Sequence, residues 1–138
     1  MSEALRSRVK SLCAAYAQGK LDFVTSFIDE DVDFISYAPI KVFPCLGKQR
    51  GKAAVAKSID TIHSHYEIRT FQPVLMVVEA DDAAVTILAR AKQRATGRII
   101  QLMLAQFLRF RGGRIIELRE FLDSFDAAEQ VLGHEIDL

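Results

Sequence analysis

Three histidines, two cysteines and a scatter of acids are the side chains through which this chain could do chemistry. His63 and His65 lie two residues apart, so on a helix they point to different sides. They do not form the i, i+4 pair that a metal site on one helix face uses. His134 stands near the C-terminus, and no Cys/His/acid cluster has ligand spacing, so no metal is expected. Cys13 falls on an apolar helical stripe and reads as core rather than nucleophile. Cys45, between Pro44 and Leu46, has no neighbouring base to activate its thiol. The stretch GKQRGK (47–52) falls short of a phosphate-binding loop, which puts four residues between its glycines and follows them with Lys-Ser/Thr. Its cations Lys48, Arg50 and Lys52 lack the aromatic interleaving of a nucleic-acid face and read as a solvated loop and helix start. No cofactor motif is present.

Composition narrows the classes further. The chain has 138 residues, half of them hydrophobic, with 18 basic residues balancing 18 acidic ones. Zero net charge argues against a nucleic-acid binder, which needs a basic surplus or stripe. High apolar content argues against disorder. No apolar run approaches the roughly 18–20 residues that span a bilayer, and the N-terminus lacks a signal-like stretch. The expectation is a single soluble cytoplasmic domain over residues 1–138, with no membrane partner.

The elements that must position any site follow from periodicity. Leu5, Val9, Leu12, Cys13 and Tyr16 recur at helical offsets, and Gly19 is placed to stop that helix. Residues 20–28 read as a second helix, 32–37 as a strand, and 52–65 as a third helix. From residue 66 the period becomes that of strands. Four long candidates, rich in Ile, Val, Leu and Phe, are joined at Asp81-Asp82, Thr96-Gly97 and Gly112-Gly113, each suited to a hairpin turn. Asp126 and Glu129 suggest a capping box for a terminal helix at 126–132, ended by Gly133. Strands of eleven residues span roughly 36 Å at about 3.3 Å each, so in a small domain they must twist and curl. The fold class is α+β: a strongly curved antiparallel sheet wrapping N-terminal helices.

Two strands carry more than topology. In 83–91, Ala83, Val85, Ile87, Ala89 and Ala91 share one face, while Thr86, Leu88 and Arg90 share the other, which by pattern alone is solvated. In 99–110 both faces are largely apolar. The helices cover only one of them, so a second copy of the chain packed sheet to sheet is expected over the other, making a homodimer.

Helices first, then LGKQRGKAAVAKSI leading into a helix, then a long-stranded meander: this order resembles the nuclear transport factor 2-like superfamily. Within it, LARAKQRATGR (88–98) and LREFLDSFDAAEQVLG (118–133) are similar to the SnoaL-like and ketosteroid isomerase-like proteins, limonene epoxide hydrolase included. The resemblance implies a cone-shaped, cystatin-like domain with a pocket between the concave sheet and the helices. It further implies a catalytic set of Asp123, Arg90 and Tyr37, with Lys92, Gln106, Phe121 and Ile35 contacting the substrate. Asp123 matches the acid of the FxD ending of the last strand, with Phe121 two residues earlier. Arg90 matches the arginine that epoxide hydrolases place beside that acid. Ile35 and Tyr37 fall where the first strand supplies pocket residues, and Gln106 falls near a third-strand acid of ketosteroid isomerases.

The departures from both activities are specific. Lys92 stands where the epoxide hydrolases want a second acid. Ile35 stands where the isomerases carry their base, and Leu12 and Gln106 stand at the places of their oxyanion-holding tyrosine and acid. Were Arg90, Lys92 and Asp123 to share a pocket, the surplus positive charge would favour an anionic or electron-rich ligand. It would also keep Asp123 ionised and a weak base. The sequence therefore points to binding of a small, partly apolar organic molecule, with anionic ones among the candidates. A SnoaL-like isomerase, cyclase or hydrolase is the first alternative, and a protein-interaction module the second.

Overall fold

The computed structural model describes residues 2–138. The apolar stripe of the first helix, α1 (Ser2–Ala17), buries Val9 and Cys13, and Gly19 at φ 72° provides the left-handed residue that lets the chain turn away. A short α2 (Leu21–Ser26) follows. It ends two residues earlier than its apolar spacing suggests, because Ile28 is taken by the sheet. There it stands opposite Ile115, whose backbone N–H donates to the Phe27 carbonyl at 2.7 Å. β1 (Ile28–Ser36) thus begins four residues before the expected strand, its first half disguised by the acidic run Asp29-Glu30-Asp31.

The remaining elements are β2 (Lys48–Arg50), α3 (Lys52–His65), β3 (Tyr66–Glu79), β4 (Asp82–Gln93), β5 (Ile99–Arg111), β6 (Arg114–Phe121) and α4 (Ser124–Leu132). They form one curved, unclosed α+β sheet of six strands in the order β2-β1-β6-β5-β4-β3. The expected meander is β3 to β6. Two pairings lack a local hairpin signal: the parallel one of β1 with β6, and the antiparallel one of β1 with β2, where Lys48–Arg50, expected as solvated loop, forms a short edge strand instead.

The two faces of the sheet differ. On the inner face, Val85 and Ile87 of β4 and Leu104, Leu108 and Phe110 of β5 pack with Val9, Val32 and Val55 into the main core. On the outer face, Met103 and Phe107 of β5 are half exposed, as are Ile99 and Phe121. A chain of alternating charges crosses that outer face from β2 to β4: Arg50, Asp33, Arg119, Glu117, Arg109 and Asp82, with successive contacts of 3.0–4.0 Å. Most of these side chains are exposed enough that each pair contributes little stability alone.

The terminal helix starts earlier than the capping-box reading places it. Asp123, not Asp126, is the N-cap, its carboxylate accepting from the Asp126 N–H at 3.0 Å. β6 pairs with β5 only from Ala105 onward, which leaves the backbone of Gln101 without a strand neighbour on that side. The Gln130 side chain fills the gap: it accepts from the Gln101 N–H at 2.8 Å and donates to the Gln101 carbonyl at 2.9 Å. A helix thereby covers an open strand edge. Among the described residues no helix is long and apolar enough to cross a membrane.

Candidate functional site

Between the inner sheet face and the helices lies a cavity of about 170 Å³. Its size is comparable to the roughly 150 Å³ apolar cavities that accept a benzene ring. All three N-terminal helices and every strand except β2 contribute to its wall, which is almost wholly aliphatic and aromatic. Among the described residues the lining contains no lysine, arginine or histidine, and its one acid is Glu120.

Glu120 reaches the cavity by strand parity. Leu118, Glu120 and Leu122 follow one another on the inner side of the last strand and its extension. Burial in this apolar setting pushes the Glu120 carboxyl up to about 7, against a smaller opposing effect of the Gln106 amide. Gln106 Nε2 donates to Glu120 Oε2 at 3.5 Å, a weak contact at that length.

Tyr16 comes from the last turn of α1. Its ring sits 4.4 Å from that of Phe71 and 4.5 Å, edge-on, from that of His63. His63 is fixed in turn, with Nε2 3.0 Å from the Tyr16 carbonyl oxygen and Nδ1 3.1 Å from that of Ile59. Burial, with Glu120 adding to it, pushes the Tyr16 hydroxyl well above the usual phenol range, so it remains a neutral donor. The remaining polar wall is inert. Burial raises the Cys13 thiol to about 12, far from thiolate, and Ser58 donates its hydroxyl hydrogen to the Ala54 carbonyl at 3.2 Å.

Of the residues expected at the site, the cavity wall takes Gln106 and leaves out Asp123, Arg90, Tyr37, Lys92, Phe121 and Ile35. The reason is the two-residue period of a strand. Ala89 and Ala91 face inward, so Arg90 and Lys92 point to the outer side, and Arg90 is exposed. Phe34 faces inward, which turns Ile35 outward. Tyr37 is half exposed and stacks on Phe121 at 4.7 Å, outside the cavity. Asp123 is exposed and occupied as a helix cap, and no ion pair joins it to Arg90 or Lys92 among the described residues. The three charges expected in one pocket are not gathered there.

Glu120 and Tyr16 were the residues missed. An acid flanked at i−2 and i+2 by leucines is the sequence signal for Glu120, and Tyr16 already belonged to the apolar stripe of the first helix. Leu12, which stood for the tyrosine position, also lines the cavity, one turn before Tyr16.

Comparison with known proteins places this architecture. A family model described as the SnoaL-like domain matches residues 9–118. A protein from Rhodopseudomonas palustris with a provisional isomerase name is 31% identical, with 97% of this chain and 98% of that chain covered and a TM-score of 0.83. A second protein so named, from Bacillus subtilis, is 19% identical, with 98% and 97% covered and a TM-score of 0.82. A protein of ketosteroid isomerase-like fold from Catenulispora acidiphila, solved with trimethylamine, is 12% identical, with 92% of each chain covered and a TM-score of 0.77. No curated protein matches the chain.

Proposed function

The chain belongs to the SnoaL-like domain family, and on that premise we propose that its cavity binds a small, largely apolar organic molecule with which Glu120 exchanges a proton. The observation that carries this reading is a single carboxyl group at the wall of an otherwise apolar cavity, where burial pushes it up to about 7. A group poised there is present in both protonation states at neutrality, as general acid–base work requires. Gln106 orients the carboxyl and Tyr16 offers a second polar contact. An anionic ligand is disfavoured, because it would lie beside Glu120 with no cation in the lining.

Isomerase-type turnover, in which Glu120 returns the proton to a different ligand atom, is a second reading. The 31% identity to the Rhodopseudomonas protein supports it. Unfilled space at the cavity's centre favours both ligand readings over an interaction module that fills its cone with side chains. The proposal includes a homodimer through the outer sheet face, supported by half-exposed Met103, Phe107 and Phe121 on strands whose other face is already covered. It also includes one domain over residues 1–138, in the cytoplasm, where the unpaired Cys13 and Cys45 would stay reduced.

Ligand-detected NMR with a panel of one-ring alcohols, ketones and amines tests the binding claim. At least one compound should bind the native chain and lose binding in Leu104→Trp, which fills the cavity. A panel without a binder, or binding unchanged by Leu104→Trp, contradicts it. Deuterium incorporation from heavy water into the carbon skeleton of a bound compound, absent in Glu120→Gln, would mark turnover.

A further inference from the structure

The polar end of the cavity is rich in acceptors and poor in donors. Glu120 contributes two carboxylate oxygens, of which only Oε2 has a partner, the Gln106 amide. Gln106 Oε1 has no partner among the described residues, and the Ser58 hydroxyl hydrogen is already turned to the Ala54 carbonyl. The remaining donors of the lining are the Tyr16 hydroxyl, the second N–H of Gln106 and the Tyr66 hydroxyl, which is engaged with the Gln93 side chain. Beyond this end the wall presents the rings of Tyr16, Phe34, Phe43, Tyr66 and Phe71. An unpaired acid, spare acceptors and aromatic walls together suit a cation that brings several N–H donors and an apolar body.

Building on the proposed reading of the cavity as a ligand site, we infer that the ligand is a small amine bound as its ammonium, paired with Glu120. The apolar body, about one ring in size, fills the aromatic and aliphatic space. Whenever the carboxyl is protonated before binding, pairing releases its proton. The neutral carboxylic acid and the free ammonium then give a carboxylate–ammonium pair and one proton, which passes to the buffer. Besides Glu120, the titratable groups of the cavity lining are Cys13 and Tyr16 of α1 and Tyr66 of β3. None of them is basic, so the incoming ammonium meets no competing cation.

Titration calorimetry with cyclohexylamine and its neutral analogue cyclohexanol tests this, in buffers of differing ionisation enthalpy at pH 6 and pH 8. Cyclohexylamine should bind at least tenfold tighter than cyclohexanol at pH 8. Its affinity should fall about tenfold per pH unit below 7, with about one proton released at pH 6. Glu120→Gln should remove the preference for the amine and the proton release while still binding the alcohol. If cyclohexanol binds tighter at pH 8, or cyclohexylamine binding ignores Glu120→Gln, the ligand class is wrong and the cavity reading stands. If neither ring binds, both fall.

Discussion

Gln106 and Glu120 stand opposite one another in the β5–β6 ladder, and the amide of the first reaches the carboxyl of the second at 3.5 Å. A donor at that distance lowers the carboxyl's proton affinity only slightly, while burial raises it, so burial decides the outcome. The pair joins two neighbouring strands at the floor of the cavity and gives that apolar space its one acid.

That arrangement has a cost in stability with a defined pH dependence. The folded-state pKa of Glu120, about 7, lies above the ordinary carboxyl value of 4.5, so the folded state holds the proton more tightly than the unfolded chain. Stability from this group is fully present below pH 4.5 and is lost as pH rises towards 7. Glu120→Gln removes the dependence. At pH 8 it should be more stable than the native chain by about 3 kcal/mol, and at pH 4 about equal, by urea denaturation. A parallel pair of stability curves would contradict the shift.

Tyr16→Phe keeps the ring contacts to Phe71 and His63 and deletes only the hydroxyl. Stability should change by less than about 1 kcal/mol. Cyclohexylamine affinity at pH 8 should fall about fivefold, the equivalent of one hydrogen bond. Unchanged affinity would assign Tyr16 to packing alone.

Asp123→Ala should lower stability by about 1 kcal/mol through loss of the α4 cap and leave ligand affinity at its native level. Arg90→Ala should leave both unchanged within about 0.5 kcal/mol, since its side chain is exposed and makes no ion pair among the described residues. A large loss of binding in either variant would return the site to the outer residues.

Phe107→Glu places a charge in the half-exposed aromatic cluster where Phe107 meets Phe121 edge-on at 5.8 Å. Light scattering should give the native chain twice its 15.5 kDa mass and this variant the single mass, with cavity binding retained. A native chain of single mass would contradict the dimer.

How far the sequence reached can be read residue by residue. The alternation in β4 already set Ala89 and Ala91 inward and Arg90 outward, and the structure agrees with that pattern rather than with the likeness to epoxide hydrolases. The same alternation, applied to Leu118, Glu120 and Leu122, names the buried acid. Family likeness favoured Asp123 three residues on, beyond the end of β6, where the backbone has already turned to cap a helix. The meander was legible because its turns are local. The β1–β6 pairing was not, since parallel neighbours far apart in sequence leave no turn signal. Gln101 and Gln130 meet for a similar reason: a free strand edge is a property of the assembled sheet, not of either segment.

The most direct test of the whole account is the titration of the Glu120 carboxyl carbon by carbon-13 NMR in the ligand-free protein, assigned with Glu120→Gln. The midpoint should lie near 7 and move down when cyclohexylamine fills the cavity. A midpoint near the ordinary carboxyl value of 4.5 would show a solvated acid and contradict the reading of Glu120 as a buried proton-exchanging group.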